Sequence, residues 1–195
     1  MHEPGLARLV LVGVAMQVLI QCHVALFIVQ IVGHARLSPA LYGLMQAAGA
    51  ASAMFVARRT SSRSGLMRLL ATGLAAMALS WALASAAGLI GIRAGLTAAA
   101  AAGSFAAGAF LYEIAMNTLR LRDVPSALRG RVVSAFRVCA YLIAPLGGVV
   151  AAAAADRFGL SCVFIVMATL AALVAVSLAR SLTTASLKAA PLPSP

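Results

Sequence analysis

The sequence predicts an all-α, polytopic membrane protein with six transmembrane helices. Three observations carry that expectation. Hydrophobic residues make up 63% of the chain and charged residues 10%, whereas a soluble domain carries about 25% charged residues. The apolar residues gather into runs able to cross a hydrocarbon core of about 30 Å, which takes roughly 20 helical residues. The basic residues fall almost wholly between those runs.

Each span can be justified in turn. The first, Leu9–Val32, is too long for the apolar core of a signal peptide and lacks a cleavage site, so it reads as a retained span. Ser38-Pro39 opens the second, Ala40–Ala57, because proline suits the first helical turn. Between the third span, Leu69–Ile92, and the fourth, Ala94–Thr118, only Gly91-Ile-Arg-Ala-Gly95 intervenes. So long an apolar stretch cannot cross once, and a tight turn is required there. Val132–Ala155 and Cys162–Ala179 complete the set. Residues 1–180 therefore form one bundle. The remainder, 181–195, ends Ala-Pro-Leu-Pro-Ser-Pro195 and reads as a disordered cytoplasmic tail.

Charge orients the bundle. One side collects Arg8, then Arg58, Arg59, Arg63 and Arg68, then Arg120, Arg122, Arg129 and Arg131, then Arg180 and Lys188. Arg36, Arg93 and Arg157 fall on the other side, and Arg137 lies inside the fifth span. The positive-inside rule then places both termini in the cytoplasm. Topology thus accounts for the net charge of +11. Aromatic residues interleaved with Lys or Arg are missing, so nucleic-acid binding is not expected.

Polar side chains within spans are costly and usually face other helices or a watery cavity. The first span holds Gln17, Gln21, His23 and Gln30, the second Gln46, the fourth Glu113 and Asn117, and the fifth Arg137. Spans three and six hold no Gln, Asn, Asp, Glu, His or Arg in their interiors. They are expected to face lipid, with one, two, four and five lining the interior. Small residues recur at four-residue spacing in Gly43, Ala47 and Ala51 and in Gly147, Ala151 and Ala155, which suits close helix packing. Pro145, followed by Gly147 and Gly148, is either a hinge or a static kink.

Enzyme chemistry is not expected. A six-span serine protease needs a Gly-x-Ser-Gly nucleophile and a late histidine; Gly103-Ser104-Phe105 lacks the pattern and no histidine follows His34. Phosphate-binding loops, HExxH and CxxC are likewise missing. The three cysteines, Cys22, Cys139 and Cys162, match no metal spacing and read as small core residues. Neither a metal nor a cofactor is expected.

One stretch of wording goes further. Val124-Pro125-Ser-Ala-Leu128-Arg129-Gly130-Arg131-Val132, then Pro145-Leu-Gly147-Gly148 and Ala155-Asp156-Arg-Phe-Gly159, resembles the major facilitator superfamily. The likeness is to its enterobactin-exporter-like efflux branch, where a similar loop joins the tenth and eleventh helices. It covers nearly the whole chain but only the C-terminal half of that fold, making the six spans helices seven to twelve. In the family the ninth and twelfth helices are peripheral, which agrees with the expectation for spans three and six. The loop Arg58-Arg-Thr-Ser-Ser-Arg63 departs from the family signature by lacking its acidic residue and first glycine.

The resemblance implies half of a proton-driven exporter of small amphipathic molecules, of drug or siderophore type, in the plasma (inner) membrane. Such transporters hold the substrate between two six-helix halves. The partners implied are membrane lipid, a small-molecule substrate, and an N-terminal half or a second copy. The alternative is a truncated, non-transporting fragment or an assembly partner of another half-transporter. Glu113, with Asn117 one turn on, can carry a proton or form an ion pair with Arg137. Gln17 and Gln21 can bond a polar substrate or neighbouring helices, while His23 and Gln30, on roughly the opposite face, are expected to satisfy neighbouring helices. Gln46 is a further cavity candidate. Trp81, Tyr42, Tyr112 and Tyr141 fit packing or interface anchoring. Arg129 and Arg131 either hold the loop at anionic headgroups or pair with acids of a missing half.

Overall fold

The chain is an all-α polytopic membrane protein. The structure, a computed structural model, describes residues 4–30, 38–58, 63–87, 94–122, 124 and 126–188. Six long helices account for almost all of them: α1 Pro4–Gln30, α2 Pro39–Ala57, α3 Arg63–Ala87, α4 Ala94–Arg122, α5 Arg129–Phe158 and α6 Leu160–Lys188. All six are long and apolar enough to cross a membrane. The turn required near Gly91 lies outside the described residues, as do Pro125 and Asp123 of the basic loop.

Local chemistry sets several boundaries. Ser38 caps α2, its hydroxyl accepting the Leu41 N–H at 3.3 Å, and Pro39 takes the first helical position, where its missing N–H costs nothing. A short 3-10 turn, Ser126–Leu128, leads into α5. At the far end of α5 the chain turns within a single residue. Gly159 sits at φ +84°, where a side chain would be strained, and its N–H bonds the Ala155 carbonyl at 2.9 Å before α6 begins. α6 then runs on through residues 181–188. Ser181-Leu-Thr-Thr-Ala-Ser-Leu-Lys188 contains neither proline nor glycine to stop a helix already under way. Residues 189–195 lie outside the description.

Packing follows a crossed pattern. α3 lies between α4 and α6 and packs extensively on both, α2 packs on α4, and α5 packs on α1. The second helix of each triplet thus leans on the first helix of the other triplet, while the two third helices pair. At the α3–α4 crossing two glycines let the backbones touch. A Cβ on Gly73 would stand 2.8 Å from the Gly108 carbonyl oxygen, and one on Gly108 2.7 Å from that of Gly73. Gly147 does the same where α5 meets α1: a Cβ there would lie 2.9 Å from the Val18 carbonyl oxygen. The Cys22 thiol donates to the Gly147 carbonyl at 3.1 Å beside it.

Burial within the bundle ranks the helices differently from the expected division into lipid-facing spans three and six and interior spans one, two, four and five, although α3 keeps one exposed stripe, Arg68, Thr72, Ala75, Leu79 and Ala82. Half of its membrane-crossing window is buried (50%), against 11% for α2 and 22% each for α5 and α6. Leu66, Leu69, Leu70, Leu74, Met77, Trp81 and Ala84 of α3 are all buried. The physical reason is that lipid tails are as apolar as leucine, so polarity does not separate a packed helix from a lipid-facing one. Close approach does, and Gly73 and Ser80 supply it. By the same measure α2 and α5, expected in the interior, are among the most exposed helices. α6 buries one stripe, Phe164, Met167, Ala171 and Ala175, and exposes most of the rest. The Gly43, Ala47, Ala51 stripe also faces outward; Gly49 and Ala53 form the packed side of α2 instead. In α5, Gly147 and Ala151 are buried and Ala155 half-buried.

Candidate functional site

Polar side chains within the membrane windows divide into two sets. The first is enclosed. His23 lies between the rings of Phe27 and Phe105, with centroids at 4.5 and 3.6 Å, and its Nδ1 accepts the Trp81 Nε1–H at 2.9 Å. An accepting Nδ1 puts the ring proton on Nε2. Gln30 donates from Nε2 to the Ala84 carbonyl, and Ser80 donates to the Ala101 carbonyl at 2.7 Å. These bonds tie α1 to α3 and α3 to α4. They match the expectation that His23 and Gln30 satisfy neighbouring helices, and Trp81 is a packing residue, fully buried.

The second set is open. Gln17, Gln21, Gln46 and Glu113 are only half-buried, and Asn117 and Arg137 are exposed. They come from α1, α2, α4 and α5, the four helices outside the α3–α6 pair. Their bonding is local or missing. Gln46 donates from Nε2 to its own helix neighbour Tyr42 Oη at 2.8 Å, and Asn117 donates from Nδ2 to Glu113 Oε2 at 3.1 Å. The Gln17 and Gln21 amides have no hydrogen-bond partner among the described residues. Nor, among the described residues, does an ion pair join Glu113 to Arg137. The carboxylate meets Asn117 instead, because residues four apart on one helix are adjacent.

Asn117 and Arg137 nevertheless come together. With Leu121, Val132, Val133 and Phe136 they line a shallow recess between the ends of α4 and α5 nearest the basic loop. The loop itself is stapled by Arg129, whose Nε–H donates to the Val124 carbonyl at 3.1 Å. Sequence reasoning missed that role, although an arginine five residues beyond Val124, with a proline in the sequence between them, is a hint. Arg131 and Gly130 are exposed, and nothing lies near Gly130. The hinge candidates lie in one continuous helix. Pro145 is exposed, Gly147 is a contact with α1, and Gly148 faces Ala25.

Among the described residues no cluster of His, Cys, Asp or Glu is arranged to hold a metal ion. Cys22 is buried and Cys139 and Cys162 exposed, all three as free thiols. Set beside known proteins, the chain matches no family model, no curated protein and no solved structure.

Proposed function

We propose that this chain is the C-terminal half of a proton-driven secondary transporter that exports small amphipathic molecules, of drug or siderophore type, from the cytoplasm. The observation that carries the reading is the open polar face. Among the described residues, six polar side chains from four helices are left without partners on other helices, and none of the six lies on α3 or α6. Amides, a carboxylate and a guanidinium facing lipid would be costly, so that face is covered by protein or wetted by a cavity. The crossed packing of the two triplets supports the same reading, since nested three-helix inverted repeats build each half of a major facilitator transporter. So does the resemblance of the basic loop.

In this account Gln17, Gln21 and Gln46 meet the polar parts of the substrate, and Glu113 carries the coupling proton with Asn117 holding its carboxylate. A second six-helix unit, either an N-terminal half or another copy, supplies the opposite wall. The basic loops and both termini lie on the cytoplasmic side of the plasma (inner) membrane. The test is the purified chain in proteoliposomes under an imposed proton gradient, with its oligomeric state measured in the same preparation. Saturable, uncoupler-sensitive export by an assembly of two six-helix units is expected. A strict monomer that exports would remove the need for a partner. A strict monomer that moves nothing would favour a non-transporting fragment.

A further inference from the structure

We infer that the recess between α4 and α5 binds an amphipathic anion, a single phosphate or carboxylate head on an apolar body, with Arg137 taking the head. This rests on the transport reading only in calling the ligand a cargo, and it gives that cargo a charge sign. Arg137 lies two turns inside α5, about 12 Å from its start. Among the described residues it has neither a hydrogen bond nor an ion pair. A guanidinium within a span is costly without a partner and calls for an anion. Its rigid fork of N–H donors matches a carboxylate or phosphate with two parallel bonds.

The rest of the recess offers an apolar surface against which the other half of such a molecule can lie. Leu121, Val132, Val133 and Phe136 offer only hydrocarbon. Asn117 spends one amide N–H on Glu113 and keeps its second N–H for the ligand. Glu113 is one turn away along α4 and does not line the recess. Arg122, Arg129 and Arg131 are exposed around the same end and raise the potential there further. The nearby arginines outnumber the single Glu113 carboxylate, which Asn117 already engages, so the balance of charge at this place favours an anion over a cation.

The chemistry could come from a free cargo or from the headgroup of an anionic lipid, and one experiment separates them. The chain in phosphatidylcholine nanodiscs is treated with phenylglyoxal, and modification rates at individual arginines are read by peptide mass spectrometry. Saturating phenyl phosphate should slow Arg137 about tenfold, the protection that high occupancy gives. Arg68 and Arg157, both exposed and outside the recess, should keep their rates, and phenyltrimethylammonium should protect none of the three. Protection without added ligand in discs containing phosphatidylglycerol identifies a lipid headgroup as the source; protection by phenyl phosphate alone identifies a free cargo. No protection, equal slowing at all three arginines, or equal protection by inorganic phosphate overturns the inference. Because binding and not flux is measured, its failure leaves the transport reading standing, and failed transport leaves the site standing.

Discussion

The imidazole knot and the open face contain the same kinds of residue under opposite conditions. Around His23, polar groups reach across helices: Trp81 to His23, Gln30 to Ala84, Ser80 to Ala101. On the open face they bond along their own helix, as Gln46 does to Tyr42 and Asn117 to Glu113, or, among the described residues, not at all. A polar residue in a greasy chain is therefore structural or functional according to where its partner lies, not according to its type. Mutations should separate the two regions by stability on one side and transport on the other.

The largest effect should come from the crossing beside the knot. Gly108→Val pushes a branched side chain into the α3 backbone and should destabilise the fold by about 3 kcal/mol, the upper part of the usual range for overpacking. Thermal unfolding in detergent measures this. Gly43→Val, with nothing near it, should stay within about 0.5 kcal/mol. Equal losses at the two positions would mean that the crossing is not as close as described.

Within the knot, Trp81→Phe removes the donor to His23 and leaves Nδ1 buried and unbonded, which should cost about 1–3 kcal/mol. Combining it with His23→Phe should recover part of the loss, giving a coupling of about 0.5–3 kcal/mol in a double-mutant cycle. Strict additivity would deny the bond.

On the open face the signs reverse. Glu113→Gln should leave stability within about 0.5 kcal/mol yet abolish the dependence of export on the proton gradient. Full transport with unchanged pH dependence would remove Glu113 from coupling. Smallest in stability terms is Gln21→Leu, whose side chain has no partner to lose. It should unfold like the parent while weakening export of polar substrates.

Much of the fold was legible in the sequence, for identifiable reasons. Span-length apolar runs separated by arginines give the six helices, and Ser38-Pro39 marks where α2 begins. The ordering of helices by exposure was not legible. Beyond Arg68, α3 contains only small, apolar or weakly polar residues that suit lipid and a core alike, so its packing depends on Gly73 meeting Gly108 thirty-five positions away. The His23–Trp81 bond is equally non-local, spanning 58 positions. The open face was legible as a set of residue types, because Gln17, Gln21, Gln46, Glu113, Asn117 and Arg137 are conspicuous in apolar surroundings. Their actual pairing was not. Glu113 takes Asn117, its neighbour on the same helix, in place of the Arg137 that charge alone would suggest.

The central claim is that the open face is wet or covered while the exposed surface of α6 meets lipid. Single cysteines test it directly, placed in a chain whose three native cysteines are replaced by alanine and labelled in native membranes with a water-soluble maleimide. Gln21→Cys should label, and Leu173→Cys, on the exposed apolar side of α6, should stay unreacted. Gln21→Cys should lose its reactivity when a transported substrate is added. Equal protection of both cysteines, with no response to substrate, would mean that the polar face lies against lipid and would contradict the account.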